Sequence, residues 1–117
     1  MPYHLIRSRM TAETWARLAR RPDDRLKASK GGASDFGGEM VGYWHSTGAH
    51  DVIAVARLPD LITAAALESA IYGSGSFLDF NHTWLLSVDE MKVAVGKVDE
   101  WPSLRNYTPP GGSKEKE

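Results

Sequence analysis

The stretch Gly42–Asp60, GYWHSTGAHDVIAVARLPD, decides the fold. Two apolar runs flank a short polar segment with glycine at its centre, which is the pattern of a β-hairpin. Strands are expected at 39–47 and 50–57, with Gly48 supplying a left-handed residue at the turn. A two-residue turn or a symmetric four-residue loop pairs Ser46 with Asp51, and cross-strand partners share a face. One face then carries Val41, Tyr43, His45 and Thr47 beside His50, Val52, Ala54 and Ala56. The other carries Met40, Gly42, Trp44 and Ser46 beside Asp51, Ile53, Val55 and Arg57. Neither set is what a solvated face looks like, so the sheet is expected to be covered on both sides.

Working outward, YHLIRSRM at 3–10 reads as a first strand, closed by Thr11 as the N-cap of a helix with Trp15, Leu18 and Ala19 on one side. Pro22 interrupts that helix and suits the first position of a second one, with Asp23 and Asp24 at its positive end. Leu26, Ala33 and Phe36 form the apolar side of this second helix. Gly31 and Gly32 each cost it ~1 kcal/mol relative to alanine, so its end is expected to be broken. After the hairpin, Pro59-Asp60 opens a helix with Leu61, Ala64, Leu67 and Ile71 at helical spacing, ended by Gly73 and Gly75. A strand at 77–86 alternates Leu78, Phe80, His82, Trp84 and Leu86. Ser87-Val-Asp-Glu90 has the form of a capping box, and the helix it opens is expected to bury Val88, Met91, Val95 and Val98. From Asp99 the pattern dissolves into a tail that ends in TPPGGSKEKE, expected to be disordered. The order is β-α-β-β-α-β plus a C-terminal helix, which is an α+β, ferredoxin-like pattern with antiparallel strands and helices on one face. The domain is expected over 1–98 and the tail over 99–117.

At 117 residues with a formal charge of −1, the chain is one small domain in length and carries no basic surplus for nucleic acid. With no cysteine, it has no disulfide, thiolate metal site or cysteine nucleophile. The apolar run at the N-terminus is broken by charges, and no stretch reaches the ~20 apolar residues of a membrane helix. A cytoplasmic setting and no membrane partner are therefore expected.

The segment from Tyr43 through STGAHDVIAVARLPD resembles the signature of the GYD-domain proteins, small bacterial members of the dimeric α+β-barrel superfamily. Their Gly-x-Tyr-Asp region falls on Gly48, His50 and Asp51, with His50 where tyrosine is common and His45 where tryptophan or leucine is usual. The resemblance covers about residues 3 to 98. It implies a ferredoxin-like subunit whose sheet pairs with that of a second copy, a homodimer enclosing a barrel cavity. It implies no activity: the wider superfamily includes cofactor-free monooxygenases, isomerases, cyclases and haem enzymes, and function does not follow from fold.

Among side chains that carry chemistry, Tyr43, His45 and His50 share a face in the expected register. They suit acid–base work on a carbonyl compound, since histidine titrates near neutrality and a phenol can donate to an enolate. The bland reading is that Tyr43 and His45 are sheet packing and His50 is a solvated turn residue. Asp51 is expected to cap backbone N–H groups at the turn, shaping it together with Gly48. His82 and Trp84 share a face, with Trp84 a stacking platform for a flat ligand, and Arg7 suits an anionic one. Each also has a structural reading, as a satisfied core histidine, a packed aromatic and a rim ion pair. His45, His50, His82 and Asp51 have metal-ligand chemistry but no metal-site spacing, so no metal is expected. No phosphate-binding glycine loop or nucleophile elbow is present.

The expectation is a small enzyme without a cofactor, working by proton transfer on a flat or carbonyl-bearing small molecule, in the manner of an isomerase, cyclase, lyase or monooxygenase. The competing readings are a non-catalytic small-molecule-binding or regulatory module, and a structural dimer subunit without a site.

Overall fold

In β1 (Tyr3–Met10), alternate side chains His4, Ile6, Ser8 and Met10 are buried, so one strand face meets the core along its whole length. This is seen in a computed structural model that describes residues 1–112. Thr11 ends the strand and caps α1 (Ala12–Arg20), its hydroxyl accepting from the Thr14 N–H. α2 (Arg25–Asp35) starts later than expected: Asp24 is its N-cap and accepts from the Lys27 N–H at 3.0 Å, leaving Pro22 in the connection. The helix continues unbroken through Gly31 and Gly32, and Gly37, at φ +75°, turns the chain out of it.

β2 (Glu39–His45) and β3 (Val52–Arg57) form the hairpin. The Ser46 N–H donates to the Asp51 carbonyl at 2.8 Å, as the symmetric four-residue loop requires. Gly48, however, is not in the left-handed region; its N–H donates to the Ser46 hydroxyl at 3.0 Å, so the serine side chain, and not glycine geometry, shapes the loop. α3 (Leu61–Gly73) is capped by Asp60, which accepts from the Thr63 N–H at 2.7 Å, and β4 (Phe77–Leu85) completes an antiparallel sheet in the order β2-β3-β1-β4. That is the expected α+β, ferredoxin-like arrangement, with β1 and β3 central.

Two bulges alter the expected faces. On β2 the register shifts between Met40 and Gly42, so Val41 is an extra residue and Met40 joins Tyr43 and His45 instead of Trp44. On β4 two residues, Asp79 and Phe80, stand opposite Ser8, and Asp79 takes φ 49°. Leu78 is thereby moved off the Phe80–His82–Trp84 face and pairs with Arg9.

The core lies where α2 and α3 meet the sheet: Ala56, Leu58 and Ala64 are buried, with Phe36, Met40 and Leu67 packed around them. Small residues on β3 let the helices approach closely. The opposite sheet face presents Leu5, Ile53 and Val55 beside Trp44, whose indole lies over Gly42, where an added Cβ would meet the ring at 2.3 Å.

The chain from Leu86 onward forms a second compact unit. It holds α4 (Val88–Glu100) and α5 (Pro102–Arg105), so regular structure continues past the expected limit at Asp99. The capping box is formed as expected, with the Ser87 hydroxyl and the Glu90 carboxylate each accepting from the other's backbone N–H. The expected burial of Val88, Met91, Val95 and Val98 is not found: all are exposed, because α5 is one turn long and offers little to bury a stripe of three turns. Within the expected disordered segment, Gly112 N–H donates to the Pro109 carbonyl at 2.9 Å, and residues 113–117 lie outside the described residues.

Candidate functional site

Between α2, α3 and the sheet lies a cavity of about 180 Å³. Its walls are largely apolar, among them Ile6, Ala33, Met40, Leu67 and Phe80. Gly32 contributes to the space, since a Cβ built there meets nothing within 4 Å. The polar lining is confined to Ser8, Arg25, Ser29 and Tyr43. Ser29 is already engaged, donating to the Leu26 carbonyl at 2.9 Å. Burial pushes the Tyr43 phenol above its ordinary range, and the Arg25 guanidinium beside it counteracts part of that shift. Tyr43 therefore keeps its proton at neutral pH and stands as a hydrogen-bond donor next to a fixed positive charge. An apolar chamber with a few converging polar groups is the usual form of a small-molecule site.

The other expected site residues are distributed more widely. His45 shares the Tyr43 face but is exposed, its ring edge-on to Tyr43 at 5.5 Å and tilted against Trp15 at 6.2 Å. His50 is not beside it: it lies against Asn81 of β4, at 3.3 Å, in an open cleft that Glu68 and Tyr72 of α3 also line. The expected Tyr43–His45–His50 group is thus split. Arg7 pairs with Ile53 and Asn81, which puts it on the sheet face opposite His82 and Trp84, so these three do not share a face.

Asp51 holds N–H groups, but not those of the turn. Its Oδ2 accepts from the Met10 backbone N–H and the Trp15 indole N–H, both at 3.1 Å, tying the hairpin to the β1–α1 junction. No spacing rule shows this, because both partners are about forty residues away.

His82 and Trp84 do share a face, and they share it with His4, which was not expected to matter. The His4 Nδ1 and His82 Nε2 are hydrogen-bonded, their rings stack at 4.6 Å, and Trp84 stacks on His4 at 5.6 Å. His4 has no exposed surface, and its Nε2 has no partner among the described residues. Burial, and then the neighbouring His82, hold the His4 pKa below its ordinary 6.5. The folded chain therefore binds this proton less tightly than the unfolded chain, and stability present above the ordinary value drains away as pH falls. Urea midpoints measured from about pH 7.5 to about pH 5.5 are expected to decline, with a flatter profile in His4→Gln. Parallel profiles would show that His4 is not the group responsible. Among the described residues, no group of three or more metal-ligating side chains is assembled.

The family model described as GYD domain matches residues 4–95. The chain belongs to the GYD domain family. No curated protein matches it, and no solved structure does. The match runs from β1 through the first half of α4, so the GYD domain includes the cavity, Arg25 and Tyr43. Sequence reasoning passed over Arg25 because it sits in an acidic, turn-like run; the available signal was its place at the first turn of a helix crossing the Tyr43 strand. No helix of the described residues is long and apolar enough to cross a membrane.

Proposed function

We propose that this GYD domain binds a small, mainly apolar molecule bearing one carbonyl or carboxylate group, with the apolar part in the cavity and the polar end at Arg25 and Tyr43. The observation that carries the reading is the pairing of a protonated phenol and a guanidinium at one place in a largely apolar wall, whose other polar residues are Ser8 and Ser29. A cavity near 150 Å³ accepts a benzene-sized body, so one ring or a short branched chain is the right scale here. The lining supplies a proton donor in Tyr43 but, among the described residues, no histidine or carboxylate. That composition favours holding a ligand over abstracting a proton from it, and makes the non-catalytic reading the better supported one.

Benzoate and benzamide are suitable probes. Calorimetric titration is expected to show benzoate binding, with Arg25→Leu and Tyr43→Phe each weakening it about ten-fold or more and Arg25→Leu removing the preference over benzamide. Equal binding by the wild type and both variants would refute the assignment.

We further infer that a second copy of the chain covers the sheet face bearing Leu5, Trp44, Ile53 and Val55. Support comes from this apolar cluster, which shares its face with Arg7 and lies on the side that α2 and α3 leave uncovered. Sedimentation equilibrium is expected to give a dimer mass, and Trp44→Glu to shift the population towards monomer. A monomer throughout the micromolar range contradicts this arrangement.

A further inference from the structure

We propose that the arginine cleft beside the cavity receives a phosphate-class dianion, the head group of a ligand whose apolar body occupies the cavity. The inference rests on the cavity reading above and specifies the ligand class. The end of α1, the connection after it and the start of α2 place Arg17, Arg20, Arg21 and Arg25 around one surface cleft, with Asp23 the single carboxylate among its lining residues. Arg17 pairs with Glu13 at 3.2 Å and Arg25 with Asp23 at 3.4 Å, whereas Arg20 and Arg21 form no ion pair among the described residues. Thr14 and Ser76 line the same cleft, and their hydroxyls accept from the Arg17 guanidinium at 3.3 and 3.5 Å, which fixes that side chain along its wall.

Part of this charge has a local explanation, since Arg17 and Arg20 lie in the last turn of α1, where the helix dipole favours cations. Arg21, the C-cap of that helix, has the same explanation, whereas Arg25 opens α2, where the dipole disfavours a cation. Arg20 and Arg21 line the cleft without a carboxylate partner among the described residues, and the planar guanidinium fork matches phosphate oxygens in bidentate fashion. Arg25 and Phe77 line both the cleft and the apolar cavity. A ligand seated in the cavity with its polar end at Arg25 therefore extends towards the remaining arginines. A monocarboxylate engages Arg25 and Tyr43 but leaves Arg20 and Arg21 unused; a phosphomonoester has the charge and the oxygens to use them.

The test titrates phenyl phosphate, benzoate and inorganic phosphate into the full chain at one fixed ionic strength, with calorimetry and the arginine Nε–Hε resonances as readouts. Phenyl phosphate is expected to bind about ten-fold or more tightly than either benzoate or inorganic phosphate. Arg20→Gln/Arg21→Gln, two exposed changes whose fold is checked by circular dichroism, is expected to collapse the ratio of phenyl phosphate to benzoate affinity. Equal affinity for phenyl phosphate and benzoate overturns the inference and leaves the cavity reading standing. Binding of inorganic phosphate without any binding of benzoate or phenyl phosphate overturns both, since the cleft would then act alone.

Discussion

Leu58→Ala is expected to destabilise the domain by roughly 3 kcal/mol and to lower Tm by on the order of 10–20 °C. Leu58 is only 1 % exposed, and it joins Ala56 of the sheet to Ala64 of α3 within a core that also involves Phe36, Met40 and Leu67. Truncation removes buried apolar surface, and the loss is deepened because Leu58 also lines the existing cavity. The two voids merge, and the alanines around the site are too short to collapse into the space. Ile62→Ala is the matching control: Ile62, in the first turn of α3, is 83 % exposed, and its truncation is expected to stay within about 0.5 kcal/mol. Urea unfolding of the two variants decides the matter. Similar midpoints would mean that the core is not centred on the β3–α3 junction.

Asp51→Ala is expected to cost about 2–3 kcal/mol, a large effect for one side chain on a hairpin loop. The carboxylate accepts from the backbone of Met10, a residue 7 % exposed, and from the Trp15 indole. Removing it strands the Met10 N–H at the end of β1, where water has poor access, and frees α1 from the hairpin. Asp51→Asn keeps an acceptor oxygen without the charge and is expected to recover about half of the loss. Amide exchange adds a local readout: Met10 should lose protection in Asp51→Ala before the sheet as a whole does. Unchanged exchange at Met10 would show that the tether carries no weight.

That tether also marks how far the sequence could be read. The element order was legible because each boundary has local chemistry: Thr11, Asp60 and Ser87 each cap a helix through a side chain three residues from its partner. The pairing of Ser46 with Asp51 was legible because hairpin register follows from a short loop. The bulges at Val41 and Asp79 were not, since each inserts one residue without any break in apolar alternation. They reassign Met40 and Leu78, and Met40 is thereby delivered to the cavity wall.

The site itself was legible only in part. Tyr43 was singled out and does line the cavity, yet the partner beside it is Arg25, from an element whose start was misplaced by the weight given to Pro22. His45 and His50 have the same chemistry and lie only five positions apart, but the loop turns them to different neighbours. His4 was set apart because it is on the opposite parity from Arg7, and a histidine alternating with Ile6 and Ser8 looks like any strand residue. Its pairing with His82 depends on the β1–β4 register, which spans most of the chain.

Methyl NMR of Met40 during titration with benzoate most directly tests whether the chamber between α2, α3 and the sheet is a binding site. In the wild type the Met40 methyl resonance, which reports from the cavity wall, is expected to shift saturably, together with that of Ile6. Gly32→Leu, which places a side chain into the open space at that helix position, is expected to retain the fold and abolish the shift. Unmoved methyl signals in the wild type, or an identical saturable shift in Gly32→Leu, would contradict a ligand site in this cavity.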